Sequence, residues 1–326
     1  MKINRPLFWN SINLISILLY PFSLVTFFIN ILKKISYKKE FKIKTICIGN
    51  LYVGGTGKTP LSIMINKILR KNYKTVFIKK KYYDQIDEQR ILKLNGNLIC
   101  KSNRKEALEI ASKKKYQIAI LDDGLQQKNF KYYIKIACFN SSDGLGNNFL
   151  IPAGPLRENA TEIKNYDAIF LNGENKNKKL FKYFKKINRN IKIFEAKYVP
   201  TNLRTFNRNS NFLFFCGLGN PSEFEKTLKK YKFRIKDKFI YPDHYNFSDS
   251  DISDMKMLAK KKNLKIITTE KDYLRLNKKN RKNIKFLKID LNVKNTKNFS
   301  KFYLKDYEKN NLFYWVCFRL YFVHIF

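Results

Sequence analysis

The strongest pattern along the chain is an uncharged apolar stretch near its start. No residue between Arg5 and Lys33 carries a charge, and residues 11–34 read SINLISILLYPFSLVTFFINILKK. At about 1.5 Å of rise per residue, a helix of this length approaches the ~30 Å hydrocarbon thickness of a bilayer. Asn13, Ser16, Ser23 and Asn30 make it less apolar than a typical span, and Pro21 is expected to kink or divide it. Lys33, Lys34, Lys38 and Lys39 follow at once, a charge bias that puts the downstream chain on the cytoplasmic side. A cleaved signal peptide is not expected, because no small-residue cleavage site follows and the basic cluster lies on the wrong flank. Three readings fit: a monotopic or re-entrant membrane helix, a single span, or the hydrophobic helix of a soluble protein. Residues 1–38 are therefore set apart as a membrane-associating segment.

From residue 41 the pattern becomes an α/β alternation. FKIKTICIGN (41–50) reads as an apolar strand, and residues 60–72 carry Ile63, Ile65, Ile68 and Leu69 at helical spacing. KTVFIKK (74–80) is a second strand, residues 104–115 a helix, and YQIAILDDG (116–124) a third strand ending on two carboxylates. YIKIACFN (133–140) and YDAIFLNG (166–173) repeat the pattern. Such alternation predicts a parallel sheet with flanking helices. Around residues 197–210 the sequence turns polar and linker-like, which puts a boundary near residue 205. A second α/β set follows, with strand character at 211–221, a helix at 222–231, and a helix and strand between 251 and 272. The expected organisation is a kinase-sized unit at 39–205, a smaller α/β unit at 206–300 contributing to the active-site cleft, and an aromatic tail at 301–326.

Composition changes this picture little. The formal net charge is +40, from 66 Lys+Arg against 26 Asp+Glu, and most of the excess is Lys. The abundance of Lys, Asn, Ile, Phe and Tyr is what AT-rich codon usage produces, so the charge by itself does not imply nucleic-acid binding. Five cysteines, Cys47, Cys100, Cys138, Cys216 and Cys317, form no CxxC pair and read as small core hydrophobes in a reducing compartment. With only His244 and His324 present, a multi-histidine metal site is excluded.

The candidate chemistry begins at GNLYVGGTGKTP (49–60). A strand, a glycine-rich loop and a helix are the context of a phosphate-binding loop, in which backbone N–H groups and the helix N-terminus face phosphate oxygens. Lys58 is placed to reach the β- and γ-phosphates and the Thr59 hydroxyl to ligate Mg²⁺. Tyr52 occupies the position where the Walker A pattern has its first glycine, and the cradle is read as Tyr52, Val53, Gly54, Gly55, Thr56, Gly57, Lys58 and Thr59. Asp122 and Asp123 end an apolar strand, the Walker B arrangement for a metal carboxylate. In IPAGPLRE (151–158), Arg157 can neutralise phosphate charge and Glu158 can complete a metal shell. His244, in YPDHYNF, can share a proton with a carboxylate acting as base, and TTEKD (268–272) reads as a loop of polar contacts between the two units.

Taken together, GNLYVGGTGKTP, DEQRIL, ILDDGLQQ, IPAGPLRE, CGLGNP, YPDHYNF and TTEKD resemble, in order, the motifs of the tetraacyldisaccharide 4'-kinase family. These are the membrane-bound kinases of lipid A biosynthesis, and the resemblance covers residues 5–280. It implies a P-loop NTPase-like fold and ATP-dependent transfer, with Mg²⁺, of the γ-phosphate to the 4'-hydroxyl of a tetraacylated glucosamine disaccharide 1-phosphate. It implies Lys58 and Thr59 for ATP and Mg²⁺, and Asp122 and Glu158 for the metal. Asp87 matches the family's proposed base on the acceptor hydroxyl, with His244 as its partner. Inner-membrane lipid, at the cytoplasmic face, is the implied setting. The chain departs from the family at Gln127, where a histidine is usual, at IKKKYY (78–83) in place of SRGYG, and at DEQ in place of DEP. The competing readings are another membrane-associated P-loop kinase or NTPase, and a non-catalytic nucleotide-sensing protein of the membrane surface.

Overall fold

The computed structural model describes residues 6–35, 38–82, 86–142, 144–173, 177–207, 209–219, 221–243 and 245–303. His244 and the tail from residue 304 lie outside the described residues.

The apolar N-terminal stretch forms one helix, α1 (Leu14–Ile35), which runs unbroken through Pro21. Proline there removes one backbone donor and does not end the helix. Leu14, Ile17, Leu18, Phe22, Val25, Phe28 and Leu32 are exposed, so the helix keeps most of its apolar surface outside the protein core. Its polar residues have a different task. Ser23 Oγ donates to Leu150 O at 2.8 Å, Thr26 Oγ1 to Ile151 O at 2.7 Å and Asn30 Nδ2 to Arg157 O at 2.8 Å. Spacings of three and four residues put these side chains on one helical face. The residues that dilute the apolar run thus dock α1 on the loop that carries the PAGPLRE motif.

The first unit is built on β1 (Lys44–Gly49), α2 (Lys58–Leu69), β2 (Thr75–Lys80), α3 (Ile86–Asn95), β3 (Leu98–Lys101), α4 (Arg104–Lys113) and β4 (Ile118–Asp122). It continues through β5 (Ile134–Asn140), β6 (Ala168–Asn172), α5 (Lys178–Ile187) and β7 (Lys192–Pro200). The second unit holds β8 (Asn211–Cys216), α6 (Pro221–Lys230), β9 (Arg234–Ile240), α7 (Asp249–Lys261), β10 (Lys265–Thr269), α8 (Glu270–Arg275) and β11 (Ile284–Leu287), and the chain then enters β12 (Ile289–Val293).

The first sheet has the order β12-β7-β6-β5-β1-β4-β2-β3, parallel except where β12 pairs antiparallel with β7. The second has the order β11-β10-β8-β9 and is parallel throughout. Strands covered on both faces read as near-continuous apolar runs. In β1, Ile46 and Ile48 enter one core while Cys47 enters the other. In β8, Phe212 and Phe214 face one core and Leu213 and Phe215 the other.

Residues 197–200, expected in a linker, are the end of β7, where Lys197 pairs with Asn292 and Pro200 with Ile289. The chain also returns to the first sheet after the second unit. Beyond β12, Phe299 and Tyr303 are fully buried in the first unit's core beside Phe170 and Phe194. Cys47, Cys138 and Cys216 are buried and unbridged. Burial pushes the Cys47 and Cys216 thiols up to about 12, so both stay protonated and behave as apolar core groups.

Candidate active site

The site forms at the carboxyl ends of β1 and β4, neighbours in the first sheet. The glycine-rich loop leaves β1 and turns into α2, whose N-cap is Gly57. Gly57 has φ +85°, and a Cβ there would lie 2.7 Å from Tyr198 Oη and 3.1 Å from Asn172 Nδ2. Only glycine meets both the dihedral and the close approach. Gly54 also has positive φ, while a Cβ at Gly55 would meet nothing within 4 Å, which marks the open side of the loop.

Tyr52 departs from its expected place in the cradle. Its side chain is buried against Phe139, and its phenol oxygen accepts a 2.7 Å hydrogen bond from the Asn140 N–H. The loop is held from behind by Val53 N–H donating to Pro155 O at 2.9 Å and by Asn50 Nδ2 donating to Tyr52 O at 2.6 Å. The ring anchors the start of the loop to β5, which leaves the stretch from Val53 to Thr59 as the candidate cradle.

The carboxylates after β4 diverge. Asp122 is fully buried, and its Oδ2 accepts from Thr59 Oγ1 at 3.0 Å. The same oxygen accepts from Lys79 Nζ at 2.9 Å, and Lys79 also donates to Glu88 Oε2 at 2.6 Å. Asp123 takes a left-handed backbone (φ +60°), which turns its side chain the other way, toward Lys58 at 3.8 Å and Arg157 at 3.3 Å. Burial acts to raise the Asp123 carboxyl, but Lys58, Arg157, Lys79 and Arg104 outweigh it and hold it below the usual carboxylate range. Arg157 Nη1 also donates to Asn50 Oδ1 and Gln126 Oε1, both at 3.3 Å. Gln127, standing where the family usually has histidine, accepts from Arg104 Nη1 at 3.4 Å.

Glu158 does not join Thr59 and Asp122. It is buried below α1, where Oε2 accepts from Lys128 at 2.5 Å and from the Tyr166 phenol at 3.2 Å. Glu162 beside it pairs with Lys128 and with Lys34 of α1. Burial raises the Glu158 carboxyl in spite of Lys128. Arg157 thus faces the glycine loop, while Glu158 faces Lys128 and α1. Of the four expected metal residues, the fold brings Thr59 and Asp122 together, turns Asp123 to the cations, and gives Glu158 to the α1 dock. Among the described residues no group of three or more His, Cys, Asp or Glu converges on a metal position.

Asp87 is buried at the start of α3 and is clasped from the second unit. Arg275 Nη2 lies 2.8 Å and Lys271 Nζ 3.7 Å from its Oδ2. Lys271 also meets Glu88 at 3.3 Å and Asp243 at 3.5 Å. The TTEKD segment, expected as a loop, is strand end and short helix α8, with Thr269 capping it by accepting from the Asp272 N–H. The two units approach again at Gly219, where a Cβ would lie 3.8 Å from Gly55 N and 3.1 Å from Asp243 Oδ2. Sequence reasoning did not single out Lys79, Glu88, Lys271 or Arg275. For Lys79 a signal existed: Ile78 pairs with Leu121 in adjacent parallel strands, so the next residues, Lys79 and Asp122, are neighbours.

A central parallel sheet, a glycine loop capping a helix, and a strand-end aspartate bonded to the loop threonine define a P-loop nucleotide-binding fold. The sequence model of the family described as tetraacyldisaccharide-1-P 4'-kinase matches residues 15–95 and 87–307. A tetraacyldisaccharide 4'-kinase of Pelagibacter ubique (strain HTCC1062) is 43% identical over 317 residues, covering 95% of this chain and 100% of the relative. The one from Rickettsia akari (strain Hartford) is 35% identical over 314 residues, covering 90% and 95%. This chain belongs to the tetraacyldisaccharide 4'-kinase family. Its fold is shared with LpxK from Aquifex aeolicus, solved in complex with ATP (TM-score 0.69, 21% identity, 90% of this chain and 99% of that one).

Proposed function

We propose that the chain transfers the γ-phosphoryl group of ATP to the 4'-hydroxyl of an acylated glucosamine disaccharide 1-phosphate at the cytoplasmic face of the inner membrane. The observation that carries this reading is the Thr59–Asp122 pair beside the glycine loop, joined through Lys79 to Glu88, the residue next to Asp87 on α3.

Lys58 and the loop from Val53 to Thr59 hold the phosphates, with the N-terminus of α2 adding its positive end. Thr59 and Asp122 offer only hard oxygen donors next to that loop, a set that fits Mg²⁺ completing its shell with water and phosphate oxygens. Bound there, the ion would spread the charge of the transferring phosphoryl group. Arg157, in contact with Asp123, lends a further positive charge near the loop. Asp87 accepts the proton of the attacking hydroxyl, with His244 as its expected partner. Catalysis then consists mostly of positioning and electrostatics.

A cavity of about 970 Å³ opens between the end of α1 and the first sheet, lined among others by Leu32, Lys33, Lys80, Tyr82, Arg104 and Lys128. Its apolar rim on α1 and its cations suit an acylated, phosphorylated acceptor. The polar docking face and exposed apolar remainder of α1 favour a helix lying in the membrane surface alongside the domain.

Incubation of the purified protein in detergent with labelled ATP and tetraacyldisaccharide 1-phosphate tests this reading. Labelled lipid should form with the wild-type chain and not with Lys58→Ala. Absence of labelled lipid, while a known family enzyme turns over in parallel, would overturn it.

A further inference from the structure

Lys79 is a buried lysine near the end of β2, the neighbour of β4, with 2% of its side chain exposed. Its ammonium is shared between two carboxylates, Asp122 at 2.9 Å and Glu88 at 2.6 Å. Burial opposes the charge, but Asp122 and Glu88 more than compensate and keep the lysine protonated. A cation so placed is held by geometry that the rest of the fold must supply.

The two carboxylates belong to different parts of the site. Asp122 ends β4 and is bonded to Thr59 of the phosphate loop. Glu88 sits on α3 immediately after Asp87, the carboxylate on the acceptor side of the cleft. Glu88 continues outward to Lys271 at 3.3 Å, and Lys271 to Asp243 at 3.5 Å. Alternating charges thus run from the phosphate loop through Asp122, Lys79, Glu88 and Lys271 to the second unit. Lys79 is the inner link of that row. Three further properties fit a positioning part. Its strand is paired on both sides, by β4 and β3, its Asp122 contact is fully enclosed, and its Glu88 contact holds the first turn of the helix that bears Asp87.

We propose that Lys79 is a positioning residue for phosphoryl transfer, tying the metal-side carboxylate Asp122 to Glu88 and thereby holding Asp87 in register with the phosphate loop. The proposal rests on the kinase reading above. Lys79 acts through Glu88 and Asp122 and leaves the nucleotide cradle itself unchanged, so its loss lowers kcat more than ATP affinity. Because Lys79 and Glu88 act as one unit, removing both does no more harm than removing the lysine.

The test is a double-mutant cycle of Lys79→Met and Glu88→Gln in the full-length protein, measuring kcat, KM for the lipid acceptor, and the Kd of a fluorescent ATP analogue without metal. Expected are losses in kcat of about 30-fold for K79M and about 10-fold for E88Q, with about 30-fold for the double variant. The analogue's Kd should stay within about threefold of wild type, which also reports that the variants are folded. Lys79→Arg, which keeps a cation between the carboxylates, should recover much of the loss. If K79M aggregates, E88Q and K79R carry the test, since E88Q leaves the lysine paired with Asp122. An additive double variant, with a loss of about 300-fold, would overturn the proposal, and so would wild-type kcat in E88Q. A wild-type protein that phosphorylates no lipid would instead refute the kinase reading, which separates the two failures.

Discussion

Tyr52 stands where the Walker A pattern has glycine, and restoring glycine there is predicted to harm the protein. The phenol ring is buried against Phe139, and its oxygen accepts the Asn140 N–H at 2.7 Å. Tyr52→Phe keeps the ring and strands that buried donor, which costs about 1–3 kcal/mol. Tyr52→Gly also deletes the ring, and emptying a buried aromatic site costs about 3–5 kcal/mol beyond that, with roughly 1 kcal/mol more for the freedom of a new glycine. The sum, about 5–9 kcal/mol, is comparable to the whole stability of a typical domain, about 5–15 kcal/mol. Urea unfolding followed by tryptophan fluorescence measures both variants, and the Kd of a fluorescent ATP analogue measures the loop. The expected order of stability is wild type, then Tyr52→Phe, then Tyr52→Gly, the last largely unfolded at 37 °C. A Tyr52→Gly protein as stable as wild type that binds ATP more tightly would refute the assignment of Tyr52 to the core.

Other perturbations follow from the same geometry. Gly57→Ala forces a Cβ into the left-handed region and to within 2.7 Å of the Tyr198 phenol. It should lose about 2–4 kcal/mol of stability and most ATP affinity in a thermal-shift titration, and an unchanged titration would contradict the loop geometry. Replacing Ser23, Thr26 and Asn30 by Ala, Val and Leu removes three bonds that dock α1, worth about 1 kcal/mol each. Limited proteolysis in detergent should then cut faster between α1 and β1; equal rates would show that the dock does not depend on them. Glu88 lies well below the ordinary 4.5: burial works to raise it, and Lys79 and Lys271 outweigh that. The unfolded chain takes up this proton near 4.5 and the folded chain only at lower pH. Its contribution to stability is therefore present above 4.5 and lost as pH falls through the folded value. Acid unfolding should be less steep in Glu88→Gln, and superimposable acid limbs would remove Glu88 from the account of acid stability.

Elements with a clear period were legible in the sequence. The apolar runs of β1, β4, β5, β6 and β8 are strands, and the loop between β1 and α2 is the phosphate loop expected from its glycines. What was not legible depends on neighbours distant in sequence. A lysine in KTVFIKK reads as a solvated strand end, and only the pairing of β2 with β4 puts Lys79 against Asp122. Glu158 is a carboxylate of the PAGPLRE motif, which suggests a metal ligand, yet the fold buries it against Lys128, next to Glu162 and its partner Lys34 of α1. The run at 197–200 looked like a linker because Lys197 and Pro200 break an apolar pattern, as an edge-side strand tolerates when β12 comes back to cover it. Arg275 lies just past the TTEKD motif, and its meeting with Asp87 spans 188 positions of the chain.

The most direct measurement of the central claim is the rate of phosphoryl transfer to tetraacyldisaccharide 1-phosphate by Asp87→Asn, with ATP-analogue binding measured on the same preparation. Loss of a base positioned on the acceptor hydroxyl should lower kcat by about 10²–10⁴-fold and leave nucleotide affinity near that of the wild type. An Asp87→Asn protein that forms 4'-phosphorylated lipid at the wild-type rate would contradict the assignment of Asp87 to the acceptor and, with it, the proposed geometry of transfer.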